Sequence, residues 1–403
     1  MTMDRRAFLL RSGLIGCSLA ASPLVTPVSF AAAPWDGRLV VIVLRGGMDG
    51  LDVLRPVGDP GFAALRGDHG NDAPLPLDGF FALHPALSAL LPLWQAGEFG
   101  AVHAVSTPYR DRRSHFDGQD LLEAGTDAPG VARDGWLNRL LQTVPGAEAE
   151  TAYAIGRDEL KLLGGAAGVM RWAPEADLVL SPQALRLAEM VMRDDPAFAA
   201  AFAQARMLAG TDAGGAAMAA TPGQMMGMMQ DGMQAARGEA AHGNIARFAA
   251  EKLRGDARIA AFSLNGWDTH ERQDVGLPRA LGRLAETILA LRDELGPVWA
   301  RTAVLAMTEF GRTARLNGTR GTDHGTGGAM LLAGGALAGG RVWGDWPGLT
   351  EADLYQRRDL AATRDLRAHA AWAMRGLFGL DQAVLERTVF PGLEMGADPG
   401  LIL

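Results

Sequence analysis

Cysteine is almost missing from this chain: Cys17 is the only one among 403 residues, and it lies near the start. Beyond it there can be no disulfide, no thiolate metal ligand and no cysteine nucleophile, so stability has to come from a packed core. A long uninterrupted apolar run is also missing. None approaches the roughly 20 residues that a membrane-spanning helix needs. Excess basic charge is absent as well. The net charge is −8, and Arg5, Arg6 and Arg11 outweigh Asp4 in the opening segment, so the remainder is more acidic still. That balance argues against nucleic acid as a partner. No internal repeat of fixed period is visible.

What the opening does contain is a leader pattern. Asp4-Arg5-Arg6-Ala7-Phe8-Leu9-Leu10 precedes the apolar stretch 14–21, and Ala31-Ala32-Ala33 closes it. A charged head, a short apolar middle and a small-residue cleavage site make residues 1–33 a signal peptide. Adjacent arginines before Phe-Leu select the twin-arginine route. The expected partner in export is therefore the twin-arginine translocase, and the expected location is the periplasm or beyond. Leu14-Ile15-Gly16-Cys17 also fits a lipoprotein cleavage box, an alternative that would tether the protein through Cys17. Folded export suits a protein that loads a metal or cofactor in the cytoplasm.

Past the leader, roughly 370 residues are enough for one large α/β domain. Residues 38–44, 100–105, 259–264, 302–307 and 329–333 read as buried strands, the first being a continuous β-branched run as a strand covered on both faces should be. Apolar positions Leu281, Leu284, Ile288, Leu291 and Leu295 repeat at helical spacing within 277–295. Residues 84–94 form a second amphipathic pattern. Alternating strands and helices predict an α/β fold with a mainly parallel central sheet covered by helices on both faces. The stretch 147–250 is rich in Ala, Gly and Met and reads as an inserted set of helices and loops. Its methionines 225, 226, 228, 229 and 233 could hold Cu(I), although methionine more often fills cores.

Polar residues gather where such sheets bind ligands, beyond the strand ends. Asp49 follows the first strand, Asp268 and His270 another, Glu309 and Arg312 a third, and Asp323-His324 precede the last. Carboxylate and imidazole together suit Zn²⁺, and a carboxylate-rich set also admits Mn²⁺ or Ca²⁺, in one or two sites. Ser114 stands at a predicted helix start directly after Arg110, Arg112 and Arg113, where a phosphate or sulfate could sit. The same serine is also a good helix N-cap, with Asp117 completing a capping-box-like pattern.

Taken in order, Arg45-Gly-Gly-Met-Asp-Gly-Leu, Arg113-Ser-His-Phe-Asp, Gly266-Trp-Asp-Thr-His, Thr308-Glu-Phe-Gly-Arg and Gly321-Thr-Asp-His-Gly resemble the twin-arginine-exported bacterial family of domain of unknown function 1501. That family is in turn similar to the alkaline phosphatase and sulfatase superfamily. The resemblance implies a single alkaline phosphatase-like domain over 34–403, with Ser114 as nucleophile. Asp49, Asp268, His270, Glu309 and His324 would be metal ligands, and Asp323 either a ligand or an orienter of its neighbour. Arg312, with Arg113, would face the anion. Glu309-Phe310 departs from the superfamily, which usually shows an Asp-His pair there, and so removes an imidazole.

The implied activity is metal-dependent hydrolysis of phosphate or sulfate esters, small or polymer-borne. The rival expectation is a periplasmic binding or assembly protein with a degenerate site on the same fold.

Overall fold

The computed structural model describes residues 35–67, 73–110, 113–156, 160–172 and 240–403. The segment 1–33 expected to be a leader and the methionines at 225–233 lie outside the described residues. Nine strands build the main sheet: β1 (Arg38–Arg45), β2 (Phe99–Ser106), β3 (Ala152–Ile155), β4 (Met170–Trp172), β5 (Ile259–Asn265), β6 (Thr302–Met307), β7 (Gly328–Ala333), β8 (Val342–Trp343) and β9 (Arg364–Asp365). Their order is β8-β2-β7-β6-β1-β5-β3-β4, and β9 also pairs with β2. Strand β1 lies at the centre, parallel to β5 and β6. Only β7 runs against its neighbours, β2 and β6. The sheet is therefore mostly parallel, and all five strands expected from the sequence belong to it.

The alternation along β1 shows why both faces are covered. Val40, Ile42 and Leu44 point into a core closed by α5 (Ala240–Arg254) and α6 (Gln273–Leu295), through Leu253, Leu277, Leu281 and Leu284. Leu39, Val41 and Val43 point the other way. They pack with Trp136 and Leu140 of α4 (Trp136–Gln142) and Ala370 and Met374 of α7 (Leu366–Phe378).

Two segments differ from the sequence reading. Residues expected to form one helix at 84–94 instead make a 3₁₀ turn, Pro85–Leu90, followed by a short α-helix, Leu91–Gln95. Pro92 lacks the N–H that a continuous helix would bond to the Ser88 carbonyl, so the helix breaks before it. The stretch 147–250, expected to hold only helices and loops, opens with β3 and β4. Tyr153, Ile155, Met170 and Trp172 suit strands, but surrounding Ala and Gly hide them in the composition.

Strand β2 carries a buried imidazole, His103, stacked on Phe81 at 5.2 Å and edge-on to Trp346 at 4.9 Å. The Leu54 carbonyl, 3.0 Å away, can only accept, so Nε2 carries the proton. Nδ1 accepts from the Ala104 N–H at 2.7 Å. Both nitrogens are satisfied in the neutral ring, and burial pushes its pKa down to about 4. Between that value and about 6.5 the unfolded chain binds a proton that the folded one refuses. This stability is fully present above pH 6.5 and is lost as pH falls towards 4, amounting to about 3 kcal/mol at about 1.4 kcal/mol per pKa unit. In urea titrations across this range, His103→Gln should flatten the acid limb. An acid limb as steep as that of the wild type would contradict this assignment.

Candidate metal centre

Reversal of β7 decides where the site forms. The loops after β1, β5 and β6 emerge at one edge of the sheet, the carboxyl edge. Because β7 runs the other way, the loop before it, with Asp323 and His324, opens at the same edge. The loops then touch closely enough to require glycine. Gly46 has φ 125°, and a Cβ there would stand 2.4 Å from the Asp268 nitrogen. A Cβ on Gly321 would lie 2.2 Å from the His270 carbonyl.

Three histidines and one aspartate meet at this edge. His115, the first residue of α3 (His115–Ala124), places Nε2 3.4 Å from Asp268 Oδ2. His270 Nε2 is 3.0 Å and His324 Nε2 3.3 Å from Asp268 Oδ1. The last two nitrogens are 2.9 Å from each other. Donor atoms of His115, Asp268 and His324 fall within 4.8 Å of one another, and His270 lies against two of the three. Ligands of a tetrahedral ion with bonds near 2.0–2.1 Å stand about 3.3 Å apart, close to these spacings.

Each ring is held from behind by an oxygen. His115 Nδ1 donates to Glu309 Oε1 at 2.8 Å, His324 Nδ1 to the Arg113 carbonyl at 2.9 Å, and His270 Nδ1 to Asp323 Oδ1 at 3.3 Å. These acceptors cannot donate; for His115 this places the proton on Nδ1 and turns the Nε2 lone pair inward, whereas His270 and His324 also face Asp268 Oδ1 through Nε2 and take the same tautomer when a cation occupies that side. His115 Nε2 is buried with no hydrogen-bond partner. Arg312 reaches one side of this cluster, at Asp268 Oδ1 (2.6 Å) and His270 Nε2 (3.4 Å), while His115 and His324 turn their Nε2 atoms to the other. A histidine backed by an oxygen acceptor is the usual arrangement for a metal ligand, so these residues fit a divalent ion.

The charges agree. Burial opposes ionisation of Asp268, but the Arg312 guanidinium, 2.6 Å away, holds its carboxyl below the usual range. Burial likewise opposes ionisation of Glu309, which the His115 bond and the Gly46 N–H overcome to keep it low. The Glu309 bond raises His115, whereas burial lowers His324, assisted by nearby positive charge. With Asp268, Glu309 and Asp323 ionised, Arg312 leaves the cluster net negative. Asp268 is 45% exposed on its side chain, so the centre is open to solvent, as catalytic ions require and closed structural ones do not.

Other expected site residues are placed differently. Asp49 is buried and caps a short helix, α1 (Gly50–Val53), while both its oxygens accept from Arg66, at 2.6 and 2.8 Å. A carboxylate so committed faces its guanidinium and not the histidines. Glu309 serves as the anchor of His115, with Gln119 also donating to it at 3.3 Å. Arg312 is buried, donating to the carbonyls of Gly46, Gly47, Trp267 and Thr322 as well as to Asp268. It clamps three loops where an anion-facing role was expected, because a guanidinium buried at a strand end needs every donor satisfied. Asp323 orients His270, not its neighbour His324.

Ser114 is the N-cap of α3 and accepts from the Asp117 N–H at 3.4 Å. Arg113 contributes its carbonyl, aimed at His324 by a positive φ of 53°. His115 was not among the sequence candidates, although it lies inside the Ser-His motif. Phe310 walls the site, its ring 5.1 Å from that of His115 and 4.8 Å from that of His324.

An α/β sheet with a histidine–carboxylate cluster at its carboxyl edge defines a protein with a candidate divalent-metal centre. The chain belongs to the family described as "Protein of unknown function (DUF1501)", which matches residues 95–383. Among solved structures it is similar to the lipoteichoic acid synthase LtaP from Listeria monocytogenes, at 9% identity and a TM-score of 0.34. The match covers 70% of this chain and 57% of the synthase, so the chain spans little over half of that protein's length. No curated protein matches it.

The cluster predicts graded metal binding. His115→Ala and His324→Ala should each abolish tight uptake of Zn²⁺ or Co²⁺ and the thermal stabilisation that accompanies it. Glu309→Gln, one step removed, should weaken binding by about 10- to 100-fold. Calorimetric titration checks this. Wild-type affinity in His115→Ala would rule out His115 as a ligand.

Proposed function

We propose that this protein is a metal-dependent hydrolase of phosphate or sulfate esters, with an alkaline phosphatase-like fold, acting in the periplasm after twin-arginine export. The observation that carries it is the set of three inward-facing imidazole nitrogens around Asp268, open to solvent. Three imidazoles and a carboxylate suit Zn²⁺ better than Ca²⁺, which prefers oxygen ligands throughout. The ester class follows from the order of the five motifs and their resemblance to that superfamily.

A bound divalent ion would polarise an ester oxygen and lower the pKa of a nearby hydroxyl. Ser114 precedes His115 directly, so the chain that carries one metal donor also carries the hydroxyl. Its cap bond uses a lone pair and leaves the O–H free to be given up. Attack of Ser114 Oγ on phosphorus or sulfur forms the new ester, the substrate alcohol leaves with a proton, and water then cleaves the serine ester. The positive end of the α3 dipole favours the anion at this position. Among the described residues, the exposed side chain of Arg113 is a cation placed beside it.

One observation favours the binding-protein reading: Arg312 is fully engaged below the site, so the expected anion clamp is not available. Assay of metal-loaded protein on aryl phosphates, phosphonates and sulfates separates the two. Ser114→Ala should keep its metal while turnover falls by orders of magnitude. If the serine only caps α3, the variant should lose about 1 kcal/mol of stability and keep its activity. Metal-loaded wild type that cleaves none of these esters would favour the binding protein.

A further inference from the structure

Gln273 opens α6 and is buried, yet neither the metal cluster nor the proposed chemistry uses it. Its amide makes four hydrogen bonds, the full capacity of a glutamine side chain. Nε2 donates to Asp49 Oδ2 at 2.7 Å and to Asp52 Oδ2 at 2.9 Å. Oε1 accepts from Thr269 Oγ1 at 2.8 Å and from Thr322 Oγ1 at 2.7 Å. The orientation is unambiguous, because carboxylates only accept and the two hydroxyls can donate.

The positions of those threonines give the amide its significance. Thr269 stands between Asp268 and His270, and Thr322 immediately precedes Asp323 and His324. A backbone bond from the Thr322 N–H to the Thr269 carbonyl, at 3.0 Å, ties the two loops directly. Gln273 adds a second tie and connects both loops to a frame that cannot shift easily. Asp49 is held by Arg66, whose Nε also donates to the Ala314 carbonyl at 2.7 Å, and Asp52 is held by Arg55 at 2.8 Å. All four partners of the amide are buried. This also explains why Asp49 stands next to the site without facing it.

We propose that Gln273 is a positioning residue for the metal centre: it fixes the separation of the Asp268–His270 and Asp323–His324 loops, and through it the affinity and geometry of the bound ion. The inference rests on the metal reading and goes beyond it. An amide is required because one end must donate to two carboxylates while the other accepts from two hydroxyls. Glutamate would set a third carboxylate against Asp49 and Asp52, and leucine would remove one hydrogen bond from each of the four partners.

The test uses the full chain loaded with Co²⁺, whose visible absorption bands report coordination geometry, together with competition against a chelator for affinity. Gln273→Leu and Gln273→Glu should retain the far-ultraviolet circular dichroism of the wild type. Their cobalt affinity should fall by about 10- to 100-fold, the range found when a group supporting a metal ligand is removed, and the visible bands should shift. Thr322→Val is the milder probe, deleting one hydroxyl at constant shape, and should move both readouts in the same direction. Combined with Gln273→Leu it should add nothing, since the contact is already lost.

Wild-type affinity and bands in Thr322→Val and in either Gln273 variant that folds would overturn the positioning role while leaving the metal centre intact. Additive losses in the double variant would overturn it too. Wild type that takes up no cobalt would remove the metal reading and this inference together.

Discussion

Three imidazole nitrogens can face one carboxylate only because each ring is anchored on its far side to an oxygen that accepts its proton. Glu309, Asp323 and the Arg113 carbonyl supply those anchors, and each comes from a different part of the chain. Much of the architecture at this sheet edge serves to bring them there. Reversal of β7 puts His324 beside the loops of the parallel strands. A strained backbone at Arg113 turns a carbonyl inward, and glycines at 46 and 321 let neighbouring loops touch. Without an ion, only Arg312 and shared protons relieve the crowding of these nitrogens around Asp268. Folding energy from the two cores on either side of the sheet holds the arrangement in place.

Beneath the histidines lies a layer of buried charge that gives the edge its rigidity. Arg312 joins the loops after β1, β5 and β6, and Arg66 fixes Asp49 to the segment at Thr313 and Ala314. Pairs of this kind contribute little net stability when intact, yet losing one partner costs about 3–5 kcal/mol because the other is left buried and unpaired. They are better understood as specifying one arrangement of the loops. Precision in the donor positions matters more to a metal centre than additional stability.

The strands and their loops were legible in the sequence. Apolar runs followed by loops with Asp, Glu or His mark both the sheet and the edge that carries the polar residues, and the loops of Asp268, His270 and His324 are readable in that pattern. Division of labour among the polar residues was not legible. Asp49, Glu309 and Arg312 look like ligands or anion clamps when only their place after a strand is known. Their roles depend on Arg66, His115 and backbone carbonyls that are distant in sequence. His115 gives no separate signal in the sequence, because the Ser114 beside it already accounts for the motif as a nucleophile or helix cap. Gln273 gave no signal, since a glutamine at a helix start is unremarkable until its four partners are seen. The broken helix at 84–94 could have been read from Pro92, whereas β3 and β4 were masked by the alanine and glycine around them.

X-ray absorption at the zinc edge of the loaded protein tests the central claim most directly, because it counts imidazoles and oxygens around the ion. The account predicts a first coordination sphere at about 2.0–2.1 Å of nitrogen and oxygen only. At least two imidazoles should be present, and one should disappear in His115→Ala. Coordination without imidazole, or a spectrum unchanged by that substitution, would contradict it.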